Sequence, residues 1–279
     1  MVKVTSNGIC GSDLHLYEVM GPFLDTGDVL GHEVIGVVQE TGAEVGGLQA
    51  GDRVVVPFQI ACGSCFMCVQ GLQTQLPELA ALAAAAPFAA GRDTGLCSVR
   101  PVIASQLPRQ GVPPIISSWE QYADDLAWAV RGGAMADASE WWWELRPHVR
   151  YGTLELRVLD VQATVDQTSA IARFVHALGA GLADLHHCGD LQPPAPAWRI
   201  AENRWSALRD GVGGELLDLR TGDASPTRSR LHDLVDLAEP NARGGLDDVR
   251  AMVEHPPVDE LRALGPYRVV PWLAEVFTG

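Results

Sequence analysis

Residues 141–160 read WWWELRPHVRYGTLELRVLD, and the alternation in this stretch decides the fold class. Its two halves alternate with a period of two, which is typical of β-strands with one buried face. The segment PHVRYG between them predicts the turn of a hairpin, with Pro147 at a strand end. We therefore expect an antiparallel sheet that contains residues 141–160.

The charged residues of the two predicted strands repeat at every second position. Glu144 and Arg146 share one face of the first strand, and Glu155 and Arg157 share one face of the second. If these faces coincide, two carboxylates and two guanidinium groups lie together. Two interpretations remain open. The groups either form cross-strand ion pairs on a solvated surface, or they build a site where arginine binds phosphate or carboxylate and glutamate binds magnesium.

Helical signals surround this hairpin. Two capping boxes, Ser117 with Glu120 and Thr164 with Gln167, each predict the start of a helix. Apolar residues after Thr164 recur at helical spacing and predict a helix over 165–187 that backs the sheet. Further helices are predicted from Ser225, over 246–254 and over 257–264.

Residues 1–75 have a different pattern, with short strands and turns. The β-branched runs at 34–39 and 53–58 are bounded by glycine, aspartate and proline. Cys62, Cys65 and Cys68 have the C-x2-C-x2-C spacing with which a chain begins to enclose a structural zinc ion. Cys10, His32 and Glu33 lie in separate loops that could converge on a catalytic zinc ion.

Composition excludes several classes of function. The formal net charge is −15 and the isoelectric point is near 4.8, so an extended nucleic-acid or anionic-membrane surface is not expected. We find neither a signal peptide nor a membrane span in the sequence. Six cysteines, three of them within residues 62–68, favour metal binding in a reducing compartment, so we expect the cytoplasm.

The N-terminal motifs resemble a known family. GICGSDLH (8–15), GHEVIG (31–36) and GDRVVVPF (51–58), with the cysteine cluster, resemble the catalytic domain of zinc-dependent medium-chain alcohol dehydrogenases. The resemblance implies a catalytic zinc bound by Cys10 and His32 with Glu33 beside it, a proton-relay hydroxyl at Ser12, and three of four structural-zinc ligands at Cys62, Cys65 and Cys68. Leu76 occupies the position of the fourth cysteine. The resemblance stops there, without a dinucleotide-binding domain.

From Leu76 onward the chain resembles a different family. LPELAAL (76–82), PFAAGRDTGL (87–96), the stretch at 141–160 and RIAENRWSALRDG (199–211) resemble the second half of the bacterial glutamate–cysteine ligase type 2 family, the carboxylate-amine ligases. Such ligases activate a carboxylate with ATP as an acyl phosphate, which an amine then attacks. The resemblance implies that Glu155 binds magnesium and Arg157 contacts phosphate. Arg146, Arg92 and Arg204 become candidate anion contacts.

Together these features predict an α+β protein with two parts. Residues 76–279 are expected to form the C-terminal half of a glutamine-synthetase-like or glutamate–cysteine-ligase-like domain, and residues 1–75 a truncated alcohol-dehydrogenase-like segment. The expected function is an ATP- and magnesium-dependent ligase of an amino-acid carboxylate and an amine, impaired by truncation. A zinc alcohol-dehydrogenase-like protein and a catalytically inactive fusion are the alternatives. We expect no nucleic-acid or membrane partner, and a homo-oligomer remains open.

Overall fold

The chain divides into two compact units. The computed structural model describes residues 1–8, 33–42, 49–56, 71–116, 118–148 and 153–278. One unit comprises Met1–Cys62 with His148–Thr153, and the other comprises Gly63–Pro147 with Leu154–Gly279. The described elements are helices and small sheets, so the predicted α+β class is confirmed.

The first unit contains a three-stranded antiparallel sheet. Its strands are β1 (Val2–Gly8), β2 (Glu33–Val38) and β3 (Arg53–Val56), in that order across the sheet. Val2 lies opposite Val38. Gly36 lies so close to β1 that a Cβ atom there would clash with the Val2 side chain. Strands β2 and β3 confirm that both predicted runs, 34–39 and 53–58, contain strands, and residues 57–58 lie outside the described residues.

The remaining elements are mostly helical. The helices are α1 (Gly71–Thr74), α2 (Leu76–Leu82), α3 (Arg100–Ala104), α4 (Trp119–Arg131), α5 (Val165–Cys188), α6 (Ala197–Asp210), α7 (Thr227–Ala238), α8 (Asp247–Glu254), α9 (Pro257–Leu264) and α10 (Val269–Thr278). Short 3-10 helices span Ala138–Glu140, Gly211–Gly213 and Glu239–Asn241. The paired strands are β4 (Phe88–Ala89) with β5 (Arg92–Asp93), β6 (Leu145–His148) with β7 (Thr153–Leu156), and β8 (Glu215–Leu217) with β9 (Ala224–Pro226).

The hydrophobic core of the second unit is built around α5. Helix α5 packs against α7 and α8, and α2 packs against α6. Phe174 and Leu178 of α5 are fully buried, as are Leu79 of α2, Ile200 of α6 and Leu231 of α7. Each such side chain stabilises the fold by roughly 1.5–3 kcal/mol relative to exposure. The charged face of β6 and β7 is therefore carried by a well-packed helical core.

Local signals placed α5 correctly but misplaced two other helix starts. The Thr164 hydroxyl accepts a hydrogen bond from the Gln167 N–H, and the Gln167 side chain accepts one from the Thr164 N–H, so this capping box is confirmed. Helix α4 begins after Ser118, whose hydroxyl accepts from the Gln121 N–H at 3.2 Å. The predicted cap at Ser117 was one residue early, and Ser117 lies outside the described residues.

The helix predicted from Ser225 also begins later than expected. Residues Ala224–Pro226 form strand β9, and α7 starts at Thr227. The main-chain N–H of Thr227 donates to the carbonyl oxygen of Gly214, because pairing of β9 with β8 draws the preceding residues into a sheet. The predictions over 246–254 and 257–264 are confirmed by α8 and α9.

The hairpin strands are shorter than the alternation indicates. Trp141 and Trp143 precede β6 and stack on each other, with ring centroids 4.3 Å apart and planes 13° from parallel. They form a second buried cluster with Tyr122. Trp143 makes an isolated parallel bridge with Gly111 rather than extending the hairpin. Burial of the indoles in this cluster explains why the strand begins only at Leu145.

Candidate active site

The charged residues of β6 and β7 do share one face. The main-chain N–H of Arg157 donates to the carbonyl oxygen of Glu144 at 2.7 Å, which places these two residues opposite each other. Arg146 and Glu155 are the next such pair, and their side chains bind each other through two hydrogen bonds of 3.0 and 2.8 Å to Glu155 Oε2. The charged faces of the two strands therefore coincide, which the sequence pattern alone did not establish.

Arg146 is buried and almost fully engaged. Only 6% of the residue is exposed. Beyond its two bonds to Glu155, its Nη1 atom donates to the carbonyl oxygens of Ser139 and Trp141, the latter at 2.7 Å. The guanidinium group thus joins the sheet to the end of the 3-10 helix. This arrangement suits a positioning residue that fixes Glu155.

Glu155 lies between two arginines. Its Oε2 accepts from Arg146, and its Oε1 accepts from Nη1 of Arg157 at 3.0 Å. Burial is the largest single influence and favours the neutral carboxyl, but the hydrogen bonds and charges of Arg146 and Arg157 together outweigh it, so the pKa of Glu155 is lowered. The carboxylate is therefore charged at neutral pH. Its Oε1 atom contacts Arg157, the more exposed of the two arginines.

Arg157 is the accessible cation of this face. Its side chain is 36% exposed, against 7% for Arg146. A single N–H of its guanidinium group is used in the bond to Glu155, so the group can still bind an anion through its other donors. Burial thus gives different roles to two arginines that the sequence pattern treats alike.

Glu144 and Arg204 form a second, deeper pair. The Arg204 Nε donates to Glu144 Oε2 at 2.5 Å, and its Nη2 donates to Oε1, giving a bidentate contact. The side chains are only 7% and 11% exposed. Arg204 Nη2 also reaches the carbonyl oxygen of Pro101 at 3.3 Å. The pair attaches α6 to the start of β6, and it leaves Arg204 little capacity for a further anion.

Arg92 lies elsewhere, on the exposed strand β5. Within the described residues it makes no hydrogen bond or ion pair with the four residues of the β6–β7 face. The structure therefore groups Arg146, Glu155 and Arg157, joins Arg204 to Glu144, and leaves Arg92 apart. The roles predicted for these residues remain predictions.

Sequence reasoning also missed an ion pair between Arg100 and Asp160, which lies just after β7. Asp160 accepts from Nε of Arg100 at 2.8 Å and from the main-chain N–H of Ala85 at 2.9 Å. The Nη2 atom of Arg100 donates to the carbonyl oxygens of residues 157–159. The available signal was that Asp160 directly follows the apolar residues Val158 and Leu159, since a carboxylate drawn into the core beside them must find partners.

A magnesium ion fits this donor set only in a limited way. Within the part of the chain that the structure describes, no group of three or more His, Cys, Asp or Glu side chains could hold a metal ion. Magnesium usually binds through one or two carboxylates together with substrate phosphates. Glu155 Oε1 can supply one such ligand, so the residues fit an ion that arrives with its nucleotide rather than a resident ion.

Of the residues implied for the N-terminal zinc sites, the structure describes only Glu33. Cys10, Ser12, His32, Cys62, Cys65 and Cys68 lie outside the described residues. Glu33 is the first residue of β2. Across the described ranges, no helix is long and apolar enough to cross a membrane.

Comparison with known proteins shows matches to two families, which overlap in the chain. Residues 66–265 match the glutamate-cysteine ligase family 2, and residues 1–101 match the alcohol dehydrogenase GroES-like domain. The first match covers most of the chain. The chain therefore belongs to the glutamate–cysteine ligase family 2. Both resemblances seen in the sequence are thus confirmed.

Individual relatives agree with this family assignment. A Rubrobacter xylanophilus protein named "Putative glutamate–cysteine ligase 2-2" is 31% identical over 194 residues, which is 69% of this chain and 50% of the relative. A Ruegeria pomeroyi protein named "Putative glutamate–cysteine ligase 2" is 35% identical over 185 residues, which is 64% of this chain and 48% of the relative. This member of the glutamate–cysteine ligase family 2 therefore spans about half the length of the curated relatives it matches.

Proposed function

We propose that the chain carries the nucleotide-binding part of an ATP-dependent carboxylate-amine ligase. The observation that carries the proposal is the Arg146–Glu155–Arg157 arrangement, in which one charged carboxylate is held by a buried arginine and shared with an accessible one. Membership of the glutamate–cysteine ligase family 2 and the names of the relatives support the reaction class. The substrates proposed are an amino-acid carboxylate and an amine.

The two arginines have separate tasks in this proposal. Arg146 keeps Glu155 Oε2 in place, because its own position is fixed by carbonyl oxygens at the end of the 3-10 helix. Arg157 exchanges its bond to Glu155 Oε1 for a contact with a phosphate oxygen, which leaves Oε1 available as a magnesium ligand. In this exchange each charged group keeps a partner of opposite charge, because Arg157 binds a phosphate oxygen while Glu155 binds magnesium.

The magnesium–nucleotide, when bound, supplies the phosphoryl group that activates a carboxylate and the positive charge that assists its transfer. The protein's own contribution is to orient the phosphate through Arg157 and to keep Glu155 ionised. Arg92 is proposed as an additional anion contact on β5. Arg204 supports the site through Glu144, because their bidentate pair fixes the residue that directly precedes β6.

Turnover by this chain alone is proposed to be weak. The chain spans about half the length of its relatives, and Glu155 offers one magnesium ligand within the described residues. A metal held by few protein ligands keeps more of its waters, and loosely placed reactants lose orders of magnitude in rate. We therefore expect nucleotide binding to be easier to detect than amide formation.

Calorimetry with ATP, with and without magnesium, tests this proposal. Arg157→Ala should remove most of the binding, and Glu155→Gln should abolish its magnesium dependence while leaving weak magnesium-free binding. The matched control is Arg228→Ala, which breaks an exposed ion pair between Arg228 of α7 and Glu254 of α8, with 38% and 50% of the two side chains exposed. Its isotherm should equal that of the wild type.

Two results would contradict the proposal. Identical isotherms for the wild type, Arg157→Ala and Glu155→Gln would leave the β6–β7 face as a salt-bridged surface and favour an inactive fusion. Equal losses in Arg157→Ala and Arg228→Ala would mean that net charge, and not this face, governs binding. Circular dichroism of each variant excludes loss of folding as the cause.

A further inference from the structure

The outer edge of β7 has no neighbouring strand within the described residues. Because the N–H of Arg157 points toward β6, the odd-numbered residues of β7 direct their main-chain groups to that partner. Leu154 and Leu156 therefore direct theirs to the opposite edge. In the described part of the chain, β6 and β7 form a two-stranded sheet of their own. Such an unpaired edge is a template for another strand.

An apolar groove runs beside this edge. Its volume is about 690 Å³, and Leu154 and Leu156 of β7 line it together with Ile171, Ala172 and Val175 of α5. Val161, which also lines the groove, is 83% exposed. Thr168 and His176 of α5 also line the groove, and the opposite side of α5 packs against α7 and α8. The groove therefore exposes apolar surface beside main-chain groups that can still pair.

The opposite face of β7 carries a local excess of positive charge. Arg146 and Arg157 together share the single carboxylate of Glu155, and Arg157 is the exposed member. A strand added at the edge would alternate between these two environments, because successive side chains point to opposite faces. Apolar residues would enter the groove, and acidic residues would lie near Arg157.

We propose that the edge of β7 binds an extended strand of another polypeptide in which apolar and acidic residues alternate. Main-chain hydrogen bonds to Leu154 and Leu156 supply the pairing, the groove over α5 takes the apolar side chains, and Arg157 attracts the carboxylates. Arg100 limits the site at one end, since it already binds the carbonyl oxygens of residues 157–159.

A synthetic peptide tests the proposal without any nucleotide. The probe is the end-blocked peptide Lys-Val-Glu-Val-Glu-Val-Glu-Val-Lys, measured by fluorescence anisotropy against the full chain. A control peptide has the same residues with its valines and glutamates in separate blocks, so it cannot alternate. We expect saturable binding of the first peptide and binding at least about tenfold weaker for the second.

Backbone methylation separates strand pairing from simple hydrophobic contact. N-methylation of the valines, or of the glutamates, blocks the main-chain donors on one edge of the peptide only. Because a paired strand directs alternate residues to its partner, one methylated set should abolish binding and the other should retain it. Slowed hydrogen exchange of the Leu154 and Leu156 amides on addition of the peptide should accompany binding.

Two variants locate the peptide on the protein. Ala172→Arg places a long side chain in the groove from an exposed position of α5, and arginine is a good helix former, so helicity and Tm should stay unchanged while binding falls by about tenfold. Arg157→Glu should weaken the glutamate peptide and strengthen one in which lysine replaces glutamate. Equal binding of the alternating and block peptides, or no effect of Ala172→Arg, would overturn the proposal.

A measurement of self-association tests whether a second copy of the chain, and not another polypeptide, occupies the edge. Sedimentation showing a dimer of the chain alone that Ala172→Arg dissociates would assign the edge to a second copy and would overturn the proposed partner. The test is independent of the ligase proposal, because peptide binding requires no ATP. Failure of nucleotide binding therefore leaves the strand site standing, and failure of peptide binding leaves the nucleotide site standing.

Discussion

Burial separates the two arginines that flank Glu155. Arg146 is almost closed off from solvent and donates to the carbonyl oxygens of Ser139 and Trp141, whereas Arg157 contacts Glu155 from the solvent side. Removing a buried arginine leaves its polar partners without hydrogen bonds in the protein interior, which is costly. Removing an exposed arginine costs little, because water can solvate the groups that it contacted. We therefore expect Arg146 to contribute more to the stability of the fold, and Arg157 to be the arginine that a ligand can reach.

Alanine substitution should separate these two contributions. We expect Arg146→Ala to lower the free energy of unfolding by about 3 kcal/mol, as for other broken buried pairs. Arg157→Ala should lower it by less than about 1 kcal/mol, as for exposed pairs. Urea denaturation measures both values. Equal decreases in the free energy of unfolding of the two variants would contradict the expectation that the buried arginine contributes more to stability.

The carboxyl group of Glu78 lies in the core and behaves differently from that of Glu155. Glu78 of α2 is 1% exposed, and its Oε1 accepts from Nε of Arg230 at 2.8 Å. Its Oε2 has no hydrogen-bond partner within the described residues. Desolvation by burial therefore outweighs the attraction of Arg230 and raises the pKa of Glu78 above its ordinary value.

This shift predicts a pH dependence of stability. Between the ordinary pKa, near 4.5, and the raised one, the folded chain binds a proton at Glu78 that the unfolded chain has lost. The contribution of Glu78 is thus complete below that ordinary value and falls as pH rises toward the folded pKa. Glu78→Gln has no titrating group at this position. The free energy of unfolding of the wild type, relative to that of the variant, should therefore decline as pH rises from the ordinary pKa of Glu78 to its raised pKa. Urea denaturation at a series of pH values measures the decline, and a constant or rising difference would refute it.

At the scale of the element, α5 depends on its first turn and on one close helix crossing. The capping box at Thr164 satisfies main-chain N–H groups that have no partner inside the helix. Gly181 lies where α5 meets α7, and a Cβ atom there would lie 2.9 Å from the carbonyl oxygen of Leu237. Both features are local, but the core of the second unit is assembled on this helix.

Loss of the cap should weaken the whole unit. We expect Thr164→Ala to reduce the free energy of unfolding by about 1 kcal/mol, because the Gln167 N–H loses its acceptor. Ser118→Ala removes the corresponding acceptor from α4 and should cost a similar amount. If thermal unfolding showed no change for Thr164→Ala, the hydroxyl would not be the functional cap.

The crossing of α5 and α7 should not tolerate a methyl group. Alanine normally stabilises a helix interior relative to glycine, so a purely local effect would raise stability. We expect Gly181→Ala instead to lower it by about 1–3 kcal/mol, because the backbone of α7 must move away. Denaturant unfolding decides between the two signs, and a gain in stability would show that the helices can separate easily.

The elements that the sequence predicted correctly are those defined by neighbouring residues. The capping box at Thr164 and the apolar stripe that follows it lie within a few turns of one another, so α5 was predicted almost to the residue. The shared face of Glu155 and Arg157 followed from strand alternation in the same way. Ser118 replaced Ser117 as a cap because adjacent serines offer the same local signal.

The contacts that sequence reasoning missed join residues far apart in the chain. Glu144 and Arg204 are 60 positions apart, as are Arg100 and Asp160. No periodicity relates such residues, and any of several arginines could have been the partner of either carboxylate. Only the packing of α6 and α3 against the hairpin decides which pairs form, and the pattern alone contains no information on that packing.

At the scale of the whole molecule, the chain joins segments that match two families. Its N-terminal match ends at residue 101, after the match to the glutamate–cysteine ligase family 2 has begun at residue 66. The predicted boundary between Gln75 and Leu76 lies inside this overlap and remains a prediction. Helix α2 begins at Leu76, the position where the alcohol-dehydrogenase-like pattern expects its fourth zinc-binding cysteine.

The zinc content of the purified chain tests the N-terminal assignment. Cys62, Cys65 and Cys68 provide three thiolates, and a structural site requires four ligands. We therefore expect less than one zinc per chain, released readily by a chelator, with less zinc still in Cys65→Ser. Elemental analysis before and after dialysis against EDTA measures this. A full equivalent of zinc that resists EDTA would mean that another residue completes the site.

The stacked pair of Trp141 and Trp143 gives the molecule an optical reporter. Indole rings this close couple their electronic transitions, so the pair should give circular dichroism bands of opposite sign that isolated tryptophans lack. The chain contains eight tryptophans, whose summed fluorescence identifies none of them, but the coupled bands belong to a stacked pair alone. Since Arg146 binds the carbonyl oxygen of Trp141, disappearance of these bands would signal release of the guanidinium group that holds Glu155, with no dye attached.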